Sequence, residues 1–348
     1  MTRRPVTAVM SVLVAVLLTG SGCGGDTGGD GPAPGAAASS PAEPDQAPML
    51  TAEPAGRVRL LPTGAPEGIV VDPASGVIAV ALRDPDRIVL IDPASGQLRT
   101  QPMPGSARHL VLSQPGELLL PAEDVGLLVE VELPDGAITT SVLVGKQPHD
   151  AARLGETVFV SNELGRSVGV VRNEQMITTL PGPIQPGGVG ATAGRVAVAD
   201  VVGNQLYVYD AGTLQQVAVL PAGSGPSHVR PLSEGLVVVA DTRGTAVLIY
   251  DLRGQPRQVG RIAVPGQPYG LATDPQQGRA YVTLADTNQA VALQVQADGS
   301  GSVQTTGPVP TVRQPNSVAY DPRTDTVLVT GVVGSELQTI PAAAFRPR

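Results

Sequence analysis

The sequence predicts an all-β fold: a seven-bladed β-propeller closed by an N-terminal strand that completes the last blade. Three observations predict it. The 348 residues include 42 Gly and 34 Pro but only 2% aromatics and no Trp, which favours short strands and turns over helices. A hairpin of apolar strand, polar turn and second strand recurs at 78–92, 118–132, 158–171, 196–210, 237–251, 280–293 and 327–340. A short segment opening at Pro66, Ala107, Pro148, Pro186, Pro226, Pro268 and Pro315 precedes each hairpin, so the unit repeats roughly every 40 residues.

Each element follows from local chemistry. In "AYVTLADTNQAVAL" (280–293), Tyr281, Val282 and Thr283 suit a strand, Asp286, Thr287 and Asn288 suit a turn, and a second alternating run begins at Ala290. An isolated hairpin is marginal in water, so it needs neighbours. A fourth strand follows every hairpin but the last, as in "QQVAVLPAGSGP" (215–226). Four short strands per repeat is the pattern of a propeller blade. The last repeat has only three strands. "RVRLLPTGAP" (57–66) has the form of a fourth strand plus anchor with no blade before it. Pairing the two removes an exposed sheet edge.

Ahead of the repeats, Arg3 and Arg4 form a positive region, "VTAVMSVLVAVLLTG" is a short apolar stretch, and "SGCGG" follows with Cys23, the sole cysteine. Residues 1–23 therefore read as a signal peptide. It resembles a bacterial lipoprotein signal, which implies lipidation at Cys23, although Gly20 stands where such signals usually carry Leu and Leu18 lies two positions further back. Cleavage without lipidation is the alternative. Residues 24–55 have low complexity and no apolar period, and read as a disordered tether. The propeller is assigned to 56–348. With one cysteine there is no intramolecular disulfide, so an exported domain of this size relies on packing.

The run "PYGLATDPQQGRAYVTLADTNQAVAL" resembles the YVTN-repeat propellers, also called YncE-like proteins. "PEGIVVDPASGVIAVALRDPDRIVLID" largely fits the same pattern, while blades 2, 3 and 4 lack its Asp-Pro turn and blade 2 has Ala107 for the anchor proline. The resemblance implies fold and says little about activity, because propellers host unrelated functions.

In a propeller the two positions after each anchor ring the mouth of the central channel. They are Glu67-Gly68, Arg108-His109, His149-Asp150, Gly187-Gly188, Ser227-His228, Tyr269-Gly270 and Asn316-Ser317. All three histidines of the chain fall in this ring. Histidine is a common metal ligand and general base. His109, His149 and His228, aided by Asp150 or Glu67, are thus candidate divalent-metal ligands, or one is a base with Arg108 or Arg230 stabilising an anion. Solvated polar residues are the plainer reading of the same ring. The hairpin turns supply Arg83, Asp84, Asp86, Glu123, Asp124, Asn162, Glu163, Asp200, Asp241, Arg243, Asp286 and Asn288, which read as turn formers bonding their own backbone or, alternatively, as an acidic crown for a cationic ligand or partner.

A net charge of −8 without a basic stripe argues against nucleic-acid binding. No GxSxG elbow, P-loop or dinucleotide fingerprint is present. The sequence reading is an exported, lipid-anchored, monomeric propeller that acts as a binding scaffold at the cell envelope. Its partner is an envelope protein or a small ligand held at Glu67, Arg108, His109, His149, Asp150, His228, Arg230, Tyr269 and Asn316, with no cofactor. The alternative is a propeller lyase or lactonase-type enzyme with a His-lined, metal-binding mouth.

Overall fold

The computed structural model describes residues 44–304 and 307–346. The signal segment, Cys23 and residues 24–43 lie outside the described residues. Seven antiparallel sheets follow one another along the chain, six of them built in chain order. They begin with the strands Ala65–Val71, Val111–Gln114, Pro148–Leu154, Pro186–Thr192, Pro226–Ser233, Pro268–Asp274 and Pro315–Asp321, which open blades 1 to 7. Blade 7 takes its outer strand from the N-terminal side: Arg57–Leu60 runs antiparallel to Glu336–Pro341, with Arg57 opposite Thr339. Blade 6 has its outer edge split into Gly301–Val303 and Val309–Pro310, which accounts for the long spacing to Pro315.

The second strand of each blade is apolar on both faces, and the period of two explains why. In Glu117–Ala122, Leu118 and Leu120 pack toward blade 1, while Leu119 packs toward blade 3. In Leu236–Asp241, Val238 and Ala240 face blade 6, while Val237 and Val239 face blade 4. Among the described residues the core falls into seven apolar clusters, one between each pair of neighbouring blades. The cluster between blades 7 and 1 joins Val80, Leu82 and Val89 to Leu328 and Leu337. The outer strands are exposed and polar, as in Leu98–Pro102.

Residues 44–55 differ from their reading as tether. Ala47 is buried, and its N–H donates to Gln314 Oε1 at 2.6 Å. Low complexity did not prevent binding, because partners on the propeller, rather than an apolar face of its own, hold this segment.

Candidate functional site

In six blades the inner strand starts at the mouth, at or beside its anchor proline. In the same six the register slips there: Pro148 pairs with Asn162 but Asp150 with Ser161, and Pro226 pairs with Asp241 but Val229 with Val239. The same slip occurs after Pro66, Pro186, Pro268 and Pro315. A bulge re-aims the side chains it carries. His149 and His228 sit in such bulges. Blade 2, with Ala107 as anchor, has a strand of only four residues, and His109 lies in the segment leading to it.

The structure brings the three histidines together. His109 Nε2 lies 3.1 Å from His149 Nε2. The His109 and His228 rings meet edge-on at 4.7 Å, and His228 meets Tyr269 at 4.4 Å. All four residues are buried. His109, His228 and Arg230 line a channel cavity of about 280 Å³. His149, Glu163, His228, Tyr269 and Arg243 line a second cavity of about 100 Å³ at the mouth, roofed by Pro44 and Asp45.

Protons can be placed from the hydrogen bonds. His149 Nδ1 donates to Glu123 Oε1 at 3.0 Å, and Glu163 Oε2 is 3.6 Å away. Burial disfavours charge on His149, but the Glu123 bond and the Glu163 and Glu123 charges outweigh it and raise its pKa. Burial likewise pushes the Glu123 carboxyl up, but the bond to His149, the His149 charge and Arg108 together bring it below its ordinary value. His109 and His228 are held well below theirs, first by burial and then by neighbouring cations. Within the cluster the electrostatics thus favour positive charge on His149 over His109, and a single proton is shared along the contact between their Nε2 atoms. His228 Nδ1 lies 3.1 Å from Ser227 Oγ, which is 2.8 Å from Thr242 Oγ1, and Thr242 donates to the Pro268 carbonyl. Thr242 has one proton and uses it there, and Ser227 directs its own to Thr242 or to the Ala240 carbonyl at 3.4 Å, so His228 Nδ1 donates to Ser227. A lone pair is left on His228 Nε2, which is buried and has no hydrogen-bond partner among the described residues.

The remaining predicted residues separate into other groups. Asp150 does not assist the histidines. It is fully buried and accepts from Arg230 at 2.7 Å and from the Val189 N–H at 3.1 Å, tying together the inner strands of blades 3, 4 and 5. Arg230 is thereby held beside the channel cavity. Glu67 and Asn316 form a pair across blades 1 and 7, with Asn316 Nδ2 donating to Glu67 Oε2 at 3.1 Å and Arg83 at 3.6 Å from Glu67. Arg108 lies 3.5 Å from Glu123.

His109 and His149 bring their Nε2 atoms to 3.1 Å of each other, but His228 does not join them in a common set of converging donor atoms among the described residues. Among the described residues, the His and carboxylate donor atoms that converge are those of Glu123, His149 and Glu163, within 4.8 Å of one another. Glu123 and Glu163 were classed with the turn formers. Position alone does not separate them: both stand one place after the second strand, where blade 1 also carries an acid, Asp84, and the remaining blades carry Val201, Thr242, Ala285 and Val332. The turn reading does hold for Asp200 and Asp241, which accept backbone N–H groups from Ile184 and Gln185, and from Ser224 and Gly225.

No protein-family model matches the chain, and no curated protein matches it either. Solved structures do. U3-55K superposes with a TM-score of 0.72 at 15% identity, covering 83% of this chain and 100% of that one. Streptogramin B lyase gives 0.67 at 12%, covering 81% and 96%. A catalytically inactive virginiamycin B lyase from Staphylococcus aureus with quinupristin gives 0.67 at 12%, covering 81% and 98%. The chain is a seven-bladed β-propeller. At these identities the likeness concerns fold alone.

Proposed function

We propose that this chain is an exported propeller, anchored through a lipid on Cys23, whose channel mouth is a binding face at the cell envelope. One observation carries the mouth assignment. The buried His228 Nε2 keeps a lone pair beside a cavity that His149, Glu163 and Tyr269 also line. An unsatisfied buried acceptor costs about 1–3 kcal/mol, so a ligand that donates an N–H or O–H there is favoured. The signal-like segment ending at Cys23 supports the anchoring, and the YVTN-type repeat at 268–293 supports kinship with envelope propellers of that kind.

The test places a photoreactive residue at Arg243 on the mouth rim and, in a second protein, at Glu156 on the turn at the opposite face. A discrete cross-linked adduct from Arg243 only is expected. Equal labelling from both positions, or none from either, overturns the mouth assignment. Anchoring is read separately, by incorporation of a palmitate analogue that Cys23→Ser abolishes.

A second reading, a propeller lyase or hydrolase, is favoured by the convergence of Glu123, His149 and Glu163, a donor set that suits a divalent cation. The neutral His228 would then serve as base. The lyases among the structural neighbours share this fold. Elemental analysis of the purified chain decides between the two. One equivalent of metal, lost in Glu163→Gln, supports the enzyme reading, and its absence leaves the binding reading.

A further inference from the structure

Residues 45–48 cross the mouth over blades 6 and 7, and they are held as a peptide ligand is held. The Gln314 amide grips the main chain at two points: its Oε1 accepts the Ala47 N–H at 2.6 Å and its Nε2 donates to the Asp45 carbonyl at 3.1 Å. Arg313 donates to the Ala47 and Pro48 carbonyls, each at 3.1 Å. Asn288 Nδ2 donates to the Pro48 carbonyl at 3.0 Å. One of these contacts reads a side chain: Gln267 Nε2 donates to Asp45 Oδ2 at 2.9 Å. The Ala47 methyl is buried, while Gln46, Pro48 and Met49 are exposed.

The donors on the propeller stand at repeated positions. Gln147, Gln185, Gln267 and Gln314 each immediately precede an anchor proline. On blades 3 and 4 the glutamine meets a carboxylate of the preceding blade: Gln147 donates to Glu123 and Gln185 to Glu163. The corresponding residues facing Gln267 and Gln314 are Thr242 and Ala285, which offer no carboxylate. There residues 45–47 supply partners instead, and Gln314 Nε2 has one further acceptor on its own blade, Asn316 Oδ1 at 3.2 Å.

From this we infer that the mouth edge of blades 6 and 7 is a peptide-binding groove, filled in cis by residues 45–48. It takes an extended acidic peptide in which a carboxylate stands two residues before a small apolar residue and a proline. This rests on the mouth being the binding face, and it names the chemistry of the partner. A partner peptide competes with the chain's own segment, which a short tether presents at an effective concentration on the order of mM. Because Pro44 and Asp45 roof the cavity beside His149, His228 and Tyr269, displacing the segment also opens that cavity.

The test uses the full chain and a fluorescein-labelled peptide with the sequence of residues 41–52, PAEPDQAPMLTA. Binding is read by anisotropy. Ala47→Pro in the protein removes the N–H its own segment donates, so its groove empties and it binds the labelled peptide about tenfold or more tighter than wild type. Adding Gln314→Ala abolishes that binding, and a scrambled peptide does not bind. Asp45→Ala, which removes the Gln267 contact without touching a buried group, gives a smaller gain in the same direction and serves if Ala47→Pro misfolds. Affinities of both variants equal to wild type, or binding indifferent to Gln314→Ala, overturn the groove. An Arg243 cross-link that persists in that case retains the mouth as a binding face for another ligand; its loss fails both readings separately.

Discussion

Blades 2 to 4 and blades 6 to 7 carry the same frame at the mouth and use it in opposite ways. Around blades 2 to 4 the frame is closed on itself: Gln147 and Gln185 reach Glu123 and Glu163, and these raise the pKa of His149. Around blades 6 and 7 the same glutamines reach a segment that belongs to no blade. A repeat fixes where a side chain stands; the residue facing it from the preceding blade decides whether it builds the fold or receives a ligand.

The largest effect that would sharpen this contrast is expected at Glu123. Glu123→Ala strips His149 and Arg108 of a buried counter-charge and should cost about 3–5 kcal/mol in urea denaturation. A loss under about 1 kcal/mol would mean that the frame of blades 2 to 4 is no more integral than that of blades 6 and 7. Next in size is Gly188→Ala. A Cβ there would lie 2.5 Å from the Val229 nitrogen and 2.6 Å from His228 Cα, so the strand must shift. Overpacking of this kind costs about 1–3 kcal/mol. It should alter the His228 ring resonances in NMR while leaving amide exchange at Ala47 unchanged. Protection lost at Ala47 would show that the two sides are mechanically one.

The pH dependence is smaller, and its sign differs within the cluster. The folded pKa of His149 is raised from 6.5, so its contribution is full below that value and fades as pH climbs through the folded pKa. His109 and His228 are depressed below 6.5, so theirs is full above that value and fades as pH falls toward their folded pKa values. Urea midpoints between about pH 5 and 9 should therefore drop on both sides. His149→Ala should flatten the alkaline limb and His228→Ala the acid limb. The reverse assignment would break the proton placement given above. The smallest effect is Gln314→Ala, about 0.5–1.5 kcal/mol, with faster amide exchange confined to residues 45–48. Exchange that spread into the blade strands would make the segment part of the fold.

The blades were legible because a period of two must be buried on both faces, and that requirement is written in runs such as Leu118 to Leu120 and Val237 to Ala240. That the three histidines share the mouth face was legible from their place after the anchors, but not that they meet, because blade spacing gives no distance between side chains. Less was legible of the chemistry. Asp150 is adjacent to His149 in sequence, yet it points to Arg230 two blades on, because the bulge after Pro148 turns consecutive side chains toward different neighbours.

The sequence by itself determined the number of blades, the strand order within each and the face that carries the histidines, since all of these depend on period and spacing along the chain. Only the tertiary structure decided in which direction each histidine's pKa moves, that His228 Nε2 has no partner among the described residues, and that residues 45–48 lie at the mouth. Those depend on contacts between blades, such as His109 with His149 and Gln314 with Ala47. Residues that far apart in the chain meet only when the ring is formed, and burial between them sets the energy of each proton and each hydrogen bond.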